Sequence, residues 1–288
     1  MLAVAKGLDV LETYESYHLF SGVATDVAKK LSIPLVTEVW TSFRHLAYFM
    51  PPYSIAARKV LERSDLFIAR SEKAKSVLLK FGVDEAKIRV LYHGVNLLRF
   101  KPQLNRSEKI IFLYVGSMTK EKGIEVLHYA WKEIIKKHKN IELQLAGTGP
   151  LLEMFKDLKN VKIHGWVDHA QLQKIYASAD VFVSPSIDRR LGPFLWWEEF
   201  FSYTLMEAHA AGLAIIGSDS GGIPEEIGDD NIVVSQGSVG ELTDALLTLI
   251  TDTKLRKKLQ IDNRKRAEEL YDLKKQVREL EREVLKIC

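Results

Sequence analysis

Thiol chemistry is nearly absent from these 288 residues, whose one cysteine is the terminal Cys288. An internal disulfide framework is therefore excluded and a reducing compartment fits, with the thiol itself read as incidental. Long apolar runs are missing too. No stretch approaches the ~20 residues a membrane span needs, and the N-terminus lacks the charged-then-apolar order of a secretion signal. A cytoplasmic location is expected. Nor is there an excess of one charge: 41 Lys and Arg face 38 Asp and Glu, spread along the chain, so no nucleic-acid partner is expected. Asparagine and glutamine are sparse beside lysine and glutamate, a balance found in thermophiles. What remains is 47% hydrophobic and 27% charged, a globular composition whose length suits two ordinary domains.

Short β-branched runs alternate with helical stretches, the pattern of parallel βαβ units. In the first part, strands are expected at "DVLETY", "PLVTEV", "LFIAR" and "IRVLYHG", with helices near 20–31, 53–63 and 72–80. After a polar connector containing Pro102, six more strands follow: "KIIFLYVG", "IELQLAG", "VKIHGW", "DVFVSPS", "LAIIGS" and "NIVVS". Their helices fall near 123–138, 150–158, 169–178, 203–212 and 238–250, and the Lys/Glu-rich tail from 253 to 286 reads as two more. The expected fold class is α/β, with two Rossmann-like doubly wound domains at 1–105 and 106–288. Only eight residues precede the first strand, and "MLAVAKG" reads as the end of a helix. The opening part of the first domain is thus expected to be missing.

In such folds the loops after the strands carry the chemistry. Gly116, Lys122 and Gly123 lie on the loop from "IIFLYVG" into a helix, where backbone N–H groups, a helix dipole and a lysine suit a phosphate. Taken alone, a lysine solvated at a helix start explains them equally well. Gly147 in "AGTGP" ends another strand, with Pro150 at a first helical turn. The stretch from 196 to 228, "WWEEFFSYTLMEAHAAGLAIIGSDSGGIPEEIG", holds two carboxylates, Glu199 and Glu207. If Phe200–Tyr203 open a helix, their N–H groups can hold a diphosphate while Glu207, about a turn in, accepts hydrogen bonds from vicinal hydroxyls such as those of a ribose. Glu199 then lies near whatever extends beyond the phosphates. The alternative, a dipole partner and a surface residue, fits Glu207 poorly, because small apolar neighbours make an unpaired carboxylate costly.

The blocks "YVGSMTKEKG", "LAGTGP", "IHGWV", "ADVFVSPS", "EEFFSYTLMEAHAAG" and "GGIPEEIG", in that order, resemble the C-terminal half of a family 4 glycosyltransferase. That class is retaining, depends on nucleotide sugars and has the GT-B fold. The likeness runs from about residue 9 to the end, since "PLVTEVW" and "RFKP" resemble the later part of the family's N-terminal domain. The resemblance implies that Glu207 binds the donor ribose and that Glu199, with the backbone of Phe200 and Phe201, contacts the sugar. Lys122 would neutralise the departing diphosphate, and Trp166 and Val167 would hold the base. Gly116, Ser117, Gly147, Ser202, Tyr203 and Thr204 complete the expected donor site, and Gly221 and Gly222 match a further family block. With protein cations and a helix N-terminus available for the phosphates, neither metal nor cofactor is expected.

Three positions depart from the family pattern: Ser117 stands for an arginine, Ser202 for a glycine, and Trp40 for a histidine. Arg189 and Arg190 are candidates to replace the lost cation, though a solvated pair is the plainer account. With the short N-terminus, these departures favour a second function class, a non-catalytic module that binds a nucleotide sugar or a partner subunit. The first remains transfer of a hexose from a nucleotide diphosphate sugar to an unidentified carbohydrate or lipid-linked acceptor, with retention. Loss of the opening strands would leave "DVLETY" as an open parallel edge, so the chain is expected to pair that edge in a homodimer, to cover it with a rearranged N-terminal helix, or to be a fragment of a longer coding sequence. The aromatic stretch "WTSFRHLAYFMPPY" at 40–53 is read as packing, with acceptor or peripheral membrane contact as the alternative. His18 and His45 stand alone and are not read as metal ligands, and the tail's last helix is expected to brace the first domain.

Overall fold

The computed structural model of the chain describes residues 7–103 and 108–288. The expected terminal helix at "MLAVAKG" and the 105/106 boundary fall outside or at the edge of that range. Two compact units emerge: Met1–His93 with Arg190–Trp196 and Lys274–Cys288, and Gly94–Arg189 with Trp197–Leu273. The division thus lies at His93/Gly94, and the chain's last helix belongs to the first unit.

In the first unit, strands β1 (Leu11–Tyr14), β2 (Leu35–Val39), β3 (Leu66–Ala69) and β4 (Ile88–Val90) form a parallel sheet in the order β1-β2-β3-β4. Helices α1 (Leu19–Leu31), α2 (Tyr53–Arg63) and α3 (Glu72–Lys80) connect them. The start of α3 follows from its cap: Ser71 Oγ accepts from Ala74 N at 3.0 Å, with Glu72 in the positive first turn. Strand β1 pairs only with β2 among the described residues, and Leu19, Phe20 and Val23 near it are exposed. In the aromatic stretch, Phe43 and Tyr48 are buried while Phe49, Met50 and Tyr53 are exposed.

The second unit's sheet contains β5 (Ile110–Val115), β6 (Ile141–Ala146), β7 (Val161–Gly165), β8 (Val181–Ser184), β11 (Ala214–Ser218) and β12 (Ile232–Val234). Its order is β12-β11-β8-β5-β6-β7, all parallel. Numbered within the unit this is 3-2-1-4-5-6, with the switch point between β5 and β8. Phe112, Leu143, Val181 and Ile216 are fully covered on this sheet. A parallel sheet buried on both faces demands such continuous apolar runs.

Between β8 and β11 the chain makes a hairpin, β9 (Arg189–Leu191) and β10 (Phe194–Trp197). Neither strand shows a polar/apolar alternation in sequence, since β9 is RRL and exposed throughout and β10 is FLWW, alternately exposed and half-buried. Helices α4 (Ile124–Ile134), α5 (His169–Ser178) and α6 (Tyr203–Ala210) come next in the unit's helical layers. A short α7 (Ile223–Ile227) precedes α8 (Val239–Thr251) and α9 (Thr253–Leu270). The helix expected at 150–158 is only a 3-10 turn, Leu152–Phe155, and α4 stops at Ile134 instead of reaching 138. Helix α10 (Leu273–Leu285) sets Leu280, Val284 and Ile287 against Val36, Leu66, Ile68 and Leu91 of the first unit's sheet. There Arg89 Nε donates to the buried Glu283 carboxylate at 2.9 Å. No helix among the described residues is long and apolar enough to cross a membrane.

Candidate functional site

Lys122 sits where the β5 loop enters α4, held there by Gly123. A Cβ on Gly123 would lie 1.7 Å from the Pro185 carbonyl oxygen, and its φ of +69° lies in the left-handed region that favours glycine. The β5 loop is thus pressed onto the β8 loop across the switch point. Its consequence is a cluster of side chains from three segments: Lys122 Nζ donates to Glu199 Oε1 at 3.0 Å and Oε2 at 2.7 Å. Ser186 Oγ donates to the same Oε2 at 2.7 Å. Lys122 Nζ also lies 4.9 Å from the Trp197 ring centroid, a cation–π distance.

Glu199 is fixed through its backbone as well. Its N–H donates to Ser220 Oγ at 3.3 Å, and Ser220 Oγ in turn donates to Asp188 Oδ1 at 2.8 Å. Its carbonyl accepts from Gly222 N at 2.7 Å. A Cβ on Gly221 would stand 1.9 Å from that carbonyl oxygen, at a φ of +49°. The adjacent glycines exist because the Glu199–Phe200 backbone runs directly against them.

Phe200 and Phe201 lead into α6, with the Phe201 ring 5.9 Å from that of Tyr271. Ser202 is the N-cap, its hydroxyl 2.7 Å from Thr204 Oγ1. Tyr203 and Thr204 open the helix, so its positive end lies beside Glu199. Ser202 N donates to Glu226 Oε2 at 2.8 Å. Burial holds the Glu226 carboxyl well above the usual carboxylate range, opposed by that N–H and raised further by Glu199. Its other oxygen has no hydrogen-bond partner among the described residues.

Glu207 is buried, one turn into α6. Its Oε1 lies 2.8 Å from His169 Nε2. Burial raises its carboxyl, while His169, Tyr176 and the more distant Arg99 pull it back down. His169 opens α5 behind its cap Asp168, whose Oδ1 accepts from Ala170 N at 2.7 Å. Trp166 and Val167 precede that cap, Trp166 with its side chain largely in solvent. Gly147 N donates to Gly165 O at 2.7 Å and Gly116 N to Ala146 O at 3.0 Å, so the ends of β5, β6 and β7 lie side by side. The Ser117 carbonyl accepts from Tyr114 Oη at 2.8 Å, a phenol whose proton burial makes hard to lose.

Every expected donor-site residue therefore stands at the carboxyl end of this one sheet. Arg189 does not join the Lys122 cluster; it turns to Glu121 at 3.7 Å, and both line a cavity of about 530 Å³ with Lys120 and Pro150. Sequence reasoning missed Ser186, Ser220, Asp188, His169 and Glu226. Ser186 was within reach, since it lies on the loop just after β8, on the far side of the switch point from Lys122. Among the described residues no group of three or more His, Cys, Asp or Glu is placed to hold a metal ion. Chemically, the arrangement offers a lysine and a helix N-terminus to an anion, and two carboxylates to hydroxyl groups.

Comparison with known proteins bears on this geometry. A sequence profile described as "Glycosyl transferases group 1" matches residues 98–266, and one described as "Glycosyltransferase Family 4" matches residues 2–99. The chain is 34% identical over 167 residues to an uncharacterized glycosyltransferase of Methanocaldococcus jannaschii, covering 51% of this chain and 40% of that protein. It is 26% identical over 263 residues to a sulfoquinovosyl transferase of Arabidopsis thaliana, covering 81% and 48%. The chain thus spans about half the length, or less, of these curated relatives. Among solved structures, Anabaena HepE in complex with UDP aligns with a TM-score of 0.81 at 15% identity, covering 99% of this chain and 80% of that one. Sucrose-phosphate synthase of Thermosynechococcus elongatus aligns with a TM-score of 0.74 at 22% identity, covering 99% and 76%. These likenesses establish the fold as α/β of the GT-B kind, with two Rossmann-like units.

Proposed function

The chain belongs to the group 1 glycosyl transferases, and we propose that it binds a nucleotide diphosphate sugar and moves the sugar to a hydroxyl acceptor with retention at the anomeric carbon. The observation that carries this reading is the Lys122, Glu199 and Ser186 cluster beside the start of α6, one turn from the buried Glu207. In this reading the diphosphate rests on the N-terminal turn of α6 and on Lys122. Glu207 accepts hydrogen bonds from the ribose hydroxyls, and the base lies along Trp166 and Val167. Glu199 faces the sugar.

Glycosyl transfer breaks the bond between the anomeric carbon and a phosphate oxygen, which leaves with the electron pair. Fixed positive groups lower that barrier because they need not reorganise as charge builds. Lys122 and the α6 N–H groups are such donors. The acceptor oxygen forms the new bond, and its proton leaves with the departing diphosphate. Retention rests on the family resemblance, and hexose as the transferred group on the same ground.

UDP, GDP and ADP are titrated against the chain by thermal shift, and their glucose or mannose conjugates are then followed for nucleotide release. One diphosphate raises Tm, its conjugate is hydrolysed or transferred, and Lys122→Ala and Glu207→Ala each suppress both effects. Absence of any shift with all three refutes donor binding. Binding without nucleotide release moves the reading to a non-catalytic nucleotide-sugar module, which the serines at 117 and 202 favour.

A further inference from the structure

We propose that Ser186 is the positioning residue that keeps Glu199 aimed at the sugar once the donor's phosphates have drawn Lys122 away, an inference that rests on the donor site described above. The Glu199 carboxylate is neutralised by Lys122, whose ammonium reaches both oxygens at 3.0 and 2.7 Å. The lysine cannot serve both ends of a donor equally. A diphosphate carries more charge than one carboxylate and accepts the same N–H bonds, so it takes Lys122 as its partner. Glu199 then loses two of the three side-chain hydrogen bonds that fix it. Among the described residues, Ser186 Oγ at 2.7 Å is the remaining side-chain donor to that carboxylate.

Ser186 is built to hold its place. It is 2% exposed, and its carbonyl accepts from Ser218 Oγ at 2.6 Å, itself fully buried on β11. The Pro185 carbonyl before it is clamped by the close approach of Gly123. Neither contact involves Lys122 or Glu199, so the hydroxyl stays where it is when the ion pair opens. A carboxylate free to swing loses directional hydrogen bonding to a sugar hydroxyl, and one anchored oxygen removes that freedom. Because Oε2 is the anchored atom, Oε1 becomes the oxygen released toward the sugar when Lys122 leaves.

The test separates this role from general stability and from phosphate binding. Isothermal titration compares a nucleoside diphosphate with its sugar conjugate, using UDP and UDP-glucose, GDP and GDP-mannose, or ADP and ADP-glucose, whichever pair the wild type binds most tightly. Ser186→Ala is expected to leave diphosphate affinity within about twofold and to weaken the conjugate about tenfold, the size of one hydrogen bond to a charged group. Ser186→Thr restores most of the loss. In a Glu199→Ala background, Ser186→Ala has no further effect, because a residue acting only through Glu199 is silent without it. Ser186→Cys, whose thiol donates weakly, gives the same pattern should the alanine chain fail to fold. Equal losses for both ligands, or an added loss in the Glu199→Ala background, overturn the assignment. A wild type that binds none of the six ligands overturns the donor-site reading itself, and this inference with it.

Discussion

Replacing Glu199 with glutamine should make the chain bind a bare nucleoside diphosphate more tightly, although the residue is assigned to the donor site. Lys122 Nζ lies 3.0 and 2.7 Å from the two Glu199 oxygens. Even with Lys122 turned to the phosphate, the phosphate oxygen it holds at about 2.8 Å stands about 5.5 Å from the carboxylate. At an effective dielectric of about 20, two unit charges at that distance repel by about 3 kcal/mol. The side chains are 27% and 12% exposed, and screening by this partial access to water reduces the figure to about 1.5 kcal/mol, roughly tenfold in affinity. Glutamine removes the charge while keeping the shape and a hydrogen-bond acceptor for Ser186 or Lys122. Titration calorimetry at low salt should therefore show Glu199→Gln binding the diphosphate about tenfold more tightly, with the gain shrinking as ionic strength rises. The sugar conjugate should gain less or lose, since an amide accepts more weakly than a carboxylate from sugar hydroxyls. Unchanged or weaker diphosphate binding in this variant would refute the competition between Glu199 and phosphate for Lys122.

Two further outcomes concern the scaffold under the site. Gly221→Ala puts a methyl 1.9 Å from the Glu199 carbonyl at a φ of +49°, and should cost about 3 kcal/mol or more in urea unfolding. Gly237→Ala, at a φ of +80° with nothing within 4 Å of its Cβ, should cost only about 1 kcal/mol; equal losses at the two positions would sink the close-approach account. His209 is fully buried on α6, and burial beside Arg266 pushes its imidazole down to about 3. An unfolded histidine protonates near about 6.5, so its contribution is intact above that pH and is lost on acidification, by about 2 kcal/mol at pH 5. Stability measured between pH 7 and 5 should fall less steeply in His209→Gln, and parallel slopes would exclude His209 as the source.

How much of this was readable before any coordinates depends on which interaction makes each feature. Strands such as "IIFLYV" and "DVFVS" announce themselves because a parallel sheet covered on both faces needs unbroken apolar runs, and their loops can be located from them. Glu207 could be singled out for a related reason, since a carboxylate among small apolar helix residues must find a partner. The hairpin of β9 and β10 could not: its strands are short, and neither RRL nor the wholly apolar FLWW alternates polar with apolar residues, so no period in the sequence marks them. Helix α10 was legible as a helix that returns to brace the first unit, as it does; its apolar face alone does not name the individual partners Val36, Leu66, Ile68 and Leu91, which are far away in the chain. Glu225 and Glu226 look equivalent in "PEE", yet one is half-buried and the other wholly so. The phase of a helix only five residues long, α7, makes that choice, and its pattern is too short to read.

The pairing of Lys122 with Glu199, 77 residues apart, lies between these cases. Neither residue's neighbours point to the other. What joins them is the order of the strands: β5 and β8 are adjacent because the winding of the parallel sheet reverses there, β6 and β7 being added on one side of β5 and β8, β11 and β12 on the other. The loop after β5 therefore meets the loop after β8, which carries Ser186 and then returns through the hairpin to Glu199. The fold thus supplies the meeting of a cation and a carboxylate at the switch point, while Gly123 lets the loop of Lys122 press onto the β8 loop and Gly221 lets the loop after β11 press onto the Glu199 backbone.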